Sequence, residues 1–157
     1  MIKVKNISKE FNKSPVLKGI STIFEKGKTN LIIGQSGSGK TVFLKCLLGL
    51  FETNSGQIFF ENSPINLMTT KERTVLRQEI GMVFQGSALF DSMTVEENIM
   101  FPMQMFTKKD DDEVRERANQ VIKRVNLINA NEKYPDEISG GMKKRVAIAR
   151  SIVMNPK

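Results

Sequence analysis

Residues 34–41, Gly34-Gln35-Ser36-Gly37-Ser38-Gly39-Lys40-Thr41, satisfy the pattern G-x-x-x-x-G-K-[ST] and lie between two segments of different character. Ahead of them, Asn30-Leu31-Ile32-Ile33 reads as a short buried strand; behind them, Lys40 to Leu50 (KTVFLKCLLGL) reads as a helix. Strand, glycine-rich loop and helix form the context in which this pattern has a mechanism. The glycines let the chain turn tightly, so that successive backbone N–H groups face one anion at the positive end of the helix dipole. Lys40 then meets the β- and γ-phosphates of a nucleotide as a point charge, and the Thr41 hydroxyl ligates Mg²⁺. The motif predicts an α/β fold built around a nucleotide phosphate cradle.

The rest of the composition narrows the partners. A chain of 157 residues holds one domain with a real core. Lys+Arg 24 against Asp+Glu 17 gives a net charge of +7, which suits a polyphosphate, an anionic membrane surface or nucleic acid alike. The basic residues form no dense tract and aromatics are only 7%, so a basic, aromatic nucleic-acid face is not expected. The single Cys46 excludes a disulfide framework and points to a reducing compartment; its place in the helix after the cradle suits a small apolar packing residue. The N-terminus mixes charged and apolar residues, unlike a secretory signal, and no stretch approaches 18 apolar residues.

Along the chain, residues 2–8 and 19–25 alternate like half-buried strands, and Lys26-Gly27-Lys28 turns the second into the strand at 29–33. Asn54-Ser55-Gly56 leads into a further strand, Gln57 to Glu61. Thr69-Thr70-Lys71-Glu72 reads as a capping box opening a short helix, and 80–84 (IGMVF) as an apolar strand. After Gln85 the pattern becomes helical. Thr94-Val95-Glu96-Glu97 is a second capping box, and Asp110 to Glu113 place acid at a helix start, a solvated cap more than a metal site. Ser139 opens a last helix through Val146, Ala149 and Val153. Ser139-Gly140-Gly141 is thus a second anion-binding helix start, although a serine cap followed by glycines is also how an ordinary helix begins.

The order of these features resembles the ATP-binding cassette (ABC) ATPases. ISGGMKKRVAIAR (138–150) resembles their signature, with Ile138 and Met142 as departures from Leu-Ser-Gly-Gly-Gln, and Phe84-Gln85 resembles their Q-loop. The resemblance implies an ABC-type nucleotide-binding domain over 1–157: a β-rich core with the cradle (1–85), a helical subdomain (86–138) and the signature helix (139–157). It implies ATP and Mg²⁺ as ligands, Phe11 stacking on adenine, Thr41 and Gln85 at the metal, and Gln85 at the attacking water. Phe11 is otherwise a core aromatic on a strand edge. The resemblance further implies a head-to-tail dimer with a second ABC ATPase subunit, in which Ser139 and Gly141 of one copy close over the γ-phosphate held by the other. A transmembrane permease subunit would dock near 86–106, holding the protein on the cytoplasmic face of the cell membrane. Apolar residues there, among them Leu89, Phe90, Met103, Met105 and Phe106, otherwise form the helical part's own core.

FQGSALFDSMTV (84–95) and Ser-Gly-Gly-Met resemble the ATPases of lipid-trafficking systems linked to mammalian-cell-entry proteins, the Mla or toluene-tolerance type. An importer ATPase for amino acids or another small solute is the alternative. The sequence contains no apolar strand ending in the Walker B Asp with its neighbouring Glu, and no histidine. The expectation is a cassette truncated before Walker B and deficient in hydrolysis by itself; a non-hydrolysing nucleotide-binding regulator is the reading if Lys157 is the natural terminus.

Overall fold

The N-terminal strands are longer than their alternation predicts, because a tight turn joins them directly. In the computed structural model, which describes residues 1–157, β1 (Ile2–Phe11) pairs antiparallel with β2 (Ser14–Phe24) across Asn12-Lys13. Both turn residues have positive φ, 49° and 64°. That is the signature of a two-residue type I′ turn, whose twist matches that of the strands it connects. Pro15 lies within β2 without penalty because β2 is an edge strand, where a missing N–H breaks no ladder. β3 (Ser55–Phe60) pairs with the other side of β1, and β4 (Ser63–Pro64) with β3, giving an antiparallel sheet of order β2-β1-β3-β4.

Two helices accompany this sheet in sequence, α1 (Lys40–Leu47) and α2 (Thr70–Gln78). Val4, Ile7, Leu17 and Ile58 of the sheet are buried, as are Phe43, Cys46 and Leu47 of α1. Burial pushes the Cys46 thiol up from its ordinary range, against a smaller opposing effect of Lys9, so this cysteine is an inert packing residue.

The chain divides into two units, Met1–Val75 and Leu76–Lys157. In the second, α3 (Val95–Phe106), α4 (Asp111–Arg124) and α5 (Gly140–Ile152) enclose one core that includes Val95, Ile99, Met103, Val114, Val121 and Val146. Each helix starts where the sequence predicts: Thr94 and Glu97 complete a capping box, Asp110 accepts from the Glu113 N–H, and Ser139 accepts from the Met142 N–H. The acidic run at 110–113 is a helix cap. No helix is long and apolar enough to cross a membrane.

Two expectations fail. The apolar runs 29–33 and 80–84 are not strands. Leu31 and Ile33 are 81% and 84% exposed, and Val83 and Phe84 about half exposed. A strand exists only if its backbone groups find a ladder partner. Neither run joins the four-stranded sheet or pairs with the other, so their β-propensity is left without a ladder. Met103, read as part of an outward docking face, is 4% exposed and packs in the helical core with Met100; on the same helix Met105 and Phe106 are exposed.

Candidate functional site

The start of α1 differs from those of the other α-helices in this chain. Thr69 accepts from the Glu72 N–H at 3.3 Å at the head of α2, and α3, α4 and α5 are each capped by a threonine, aspartate or serine side chain. At α1 the cap position is Gly39, and no side chain bonds to the first turn. A helix start leaves backbone N–H groups without intrahelical partners. Here no side chain takes them up, and the helix dipole makes such a start favourable for an anion.

The loop is shaped by close backbone approach. A Cβ on Gly34 would meet Ser38 Oγ at 2.6 Å, a contact that rotation of the serine relieves, whereas Gly37 holds a left-handed φ of 80°. Gly39 has φ 92°, and a Cβ on it would lie 3.0 Å from Val16 Cγ1 and 3.1 Å from Leu17 Cδ2. Gly39 thereby seats the cradle against β2 in a left-handed conformation that other residues resist. Lys40 Nζ curls across the loop and donates to the Gly34 carbonyl at 2.7 Å and the Gln35 carbonyl at 2.8 Å. The ammonium is thus held over the ring of residues 34–40, where an incoming phosphate offers it stronger, charged acceptors. Gln35, Ser36, Gly37 and Thr41 are all exposed.

Phe11 ends β1 and is 41% exposed, so it is not a core residue. Its ring meets Phe51 edge-on, with centroids 5.4 Å apart, and Lys9 Nζ lies 5.0 Å from its centroid. Leu17, which supports Gly39, pairs with Lys9, two residues from Phe11. The aromatic platform and the cradle therefore occupy the same end of the β1–β2 hairpin.

No cluster of three or more Asp, Glu, Cys or His side chains is arranged to hold a metal. The residues present fit Mg²⁺ held in the other usual way, through a hydroxyl such as that of Thr41 together with phosphate oxygens.

In the second unit, Gln85 is exposed and is followed by Ser87 and Ala88 with positive φ, 63° and 47°. Ser139 Oγ caps α5, accepting from the Met142 N–H at 3.3 Å. Gly140 and Gly141 are exposed, and a Cβ on Gly140 would meet nothing within 4 Å. No contact within the chain demands a glycine at Gly140, which leaves a smooth, open backbone at a helix start.

Sequence reasoning named Phe11 but missed Lys9, although the two stand two apart on a strand and so share a face. It also missed Arg150 and Asn98, which reach the segment after Gln85. Asn98 has a readable signal, a polar residue flanked by Val95 and Ile99 on the apolar face of α3; the contact between Arg150 and Ser87 has none.

A profile of the ABC transporter family matches residues 17–157. The arginine transport ATP-binding protein ArtM of Bacillus subtilis is 44% identical, over 99% of this chain and 65% of that protein. The methionine import ATP-binding protein MetN of Clostridium tetani is 38% identical, over 100% of this chain and 49% of that protein. Among solved structures, a dimeric post-hydrolysis state of the ATP-binding cassette MJ0796 bound to ADP and Pi superposes with a TM-score of 0.90 at 31% identity, over 99% of this chain and 71% of that one. The chain spans about two thirds of ArtM and half of MetN.

Proposed function

Because the chain belongs to the ABC transporter family, we propose that it binds ATP with Mg²⁺ at Gly34–Thr41 and serves, within a transporter, as the ATPase that energises transport. The observation that carries this reading is the start of α1, the one α-helix left without a side-chain cap, with Lys40 folded over a loop whose Gly37 and Gly39 hold left-handed backbone. The backbone N–H groups hold the phosphates, Lys40 neutralises the β- and γ-phosphates, and Thr41 ligates the metal. Phe11 carries the adenine on its exposed ring. Gln85 at Mg²⁺ and water, and Ser139 to Gly141 at the γ-phosphate of a second copy, are roles supported by the motif resemblance. The open backbone at Gly140 and the dimeric state of MJ0796 are consistent with such an assembly.

The permease would meet the exposed apolar side chains of the 86–106 segment, Phe90, Met105 and Phe106, holding the protein at the membrane's inner face. Two cargo readings have support. The names of ArtM and MetN favour an importer for an amino acid or similar small solute. The segment 84–95 with Ser-Gly-Gly-Met supports lipid trafficking, and the permease that co-purifies with the protein separates the two.

Lys40→Ala tests the reading. Removing a cation that pairs with phosphate costs roughly 2 to 5 kcal/mol, about 30-fold or more in affinity. Calorimetric titration with MgATP of both proteins measures it, and equal affinities refute the assignment.

A further inference from the structure

Arg150 belongs to α5, the helix that Ser139 opens, and its guanidinium is turned inward. Nη2 donates to the Ser87 carbonyl at 2.8 Å, and the guanidinium carbon lies 5.8 Å from the centroid of the Phe90 ring. Ser87 is buried, and with Ala88 it holds a tandem left-handed stretch that non-glycine residues keep only when their surroundings impose it. Phe90 is fastened from another side by α3: its N–H donates to Asn98 Oδ1 at 2.8 Å, its carbonyl accepts from Asn98 Nδ2 at 3.0 Å, and its ring packs 4.7 Å from that of Phe101. The segment that begins two residues after Gln85 is therefore clamped between α3 and α5, and Arg150 is the side chain that supplies the α5 half of the clamp. Desolvation at this position lowers the guanidinium pKa, in keeping with a charge held among protein groups.

We propose that Arg150 is a positioning residue that ties the Gln85 loop to the Ser139 helix, so that the two move as one body. The consequence for nucleotide rests on the reading of Gln85 and Ser139–Gly141 given above. If the signature end of α5 is drawn toward a γ-phosphate, the Ser87 carbonyl is drawn with it, and Gln85 shifts in step. The link needs arginine because one planar group both donates to a carbonyl and sits over an aromatic ring, a combination the compact lysine ammonium reproduces only in part.

Hydrogen exchange on the 157-residue chain reads this tie without any nucleotide. In Arg150→Met the Ser87 and Phe90 amides are expected to exchange about tenfold faster or more, the loss of one charge-assisted hydrogen bond. The amides of Val114 to Ile122 in α4 should be unchanged. Arg150→Lys should recover part of the protection, which a pure packing role for the side-chain stem would not produce. Unchanged exchange at 87–90 overturns the proposal. So does acceleration spread evenly over α3, α4 and α5, which would make Arg150 an ordinary core residue. The two readings fail separately, since a parent chain that binds no MgATP refutes the nucleotide site while the exchange pattern still reports on the tie.

Discussion

Asn98 is fully buried in α3 and is the residue whose loss the structure prices most directly. Its Oδ1 accepts from the Phe90 N–H at 2.8 Å, and its Nδ2 donates toward the carbonyls of Phe90, Met93 and Thr94 at 3.0, 3.0 and 2.9 Å. In Asn98→Ala the Thr94 carbonyl keeps the backbone N–H of residue 98. The Phe90 carbonyl likewise keeps the Met93 N–H, so the Phe90 N–H and the Met93 carbonyl are the two groups that lose the partner Asn98 supplies. Each polar group left unpaired away from water costs about 1–3 kcal/mol. Water reaches part of this loop, because the Phe90 side is partly exposed, so we expect about 3 kcal/mol in total. At about 2–4 °C per kcal/mol for a chain of this size, that is a fall in Tm of about 6–12 °C. Urea unfolding followed by circular dichroism gives the free energy, and hydrogen exchange over 90–94 locates it. A loss below about 0.5 kcal/mol would refute the view that Asn98 holds this loop. Asn98→Asp supplies a signed control. Its carboxylate would face three carbonyls, which raises its pKa in the folded state above the unfolded value. That variant should therefore gain stability as pH falls through the folded pKa, opposite to the usual carboxylate.

Glu72 shows that usual case. Hydrogen bonds from the Thr69 N–H and then from its hydroxyl hold the Glu72 pKa below the ordinary 4.5. The start of α2 should be firm above that value and fray as pH falls through the lowered one, and Glu72→Gln should flatten the response when Thr69 and Glu72 amide exchange is followed by NMR. Met105→Glu with Phe106→Glu, both at exposed positions, should abolish co-purification with the permease while MgATP affinity stays within about twofold. Retained co-purification would move the docking face elsewhere.

The local signals in this chain were legible because they act over three or four residues. Thr69 with Glu72, Thr94 with Glu97, Asp110 and Ser139 each cap the helix their spacing announces. The cradle was legible for the same reason, since its glycines answer to contacts within the loop and to the hairpin next to it. What was lost depended on pairing. Residues 29–33 and 80–84 carry strand propensity, but propensity does not supply a neighbour. Met103 and Met105 look alike in composition, and the four-residue spacing of Val95, Ile99 and Met103 on one helix face is what separates core from surface. Arg150 and Ser87 are 63 residues apart, and no sequence pattern joins a guanidinium to a particular carbonyl at that distance.

The central claim is that the start of α1 holds phosphate. The most direct measurement is a calorimetric comparison of ATP, ADP and adenosine on the 157-residue chain in the presence of Mg²⁺. If the uncapped helix start and Lys40 supply most of the affinity, adenosine should bind roughly 100-fold or more weakly than ATP, a difference of about 2.7 kcal/mol, with ADP much closer to ATP. Adenosine binding as tightly as ATP would mean that the base platform at Phe11 carries the interaction and that the phosphate cradle is not one.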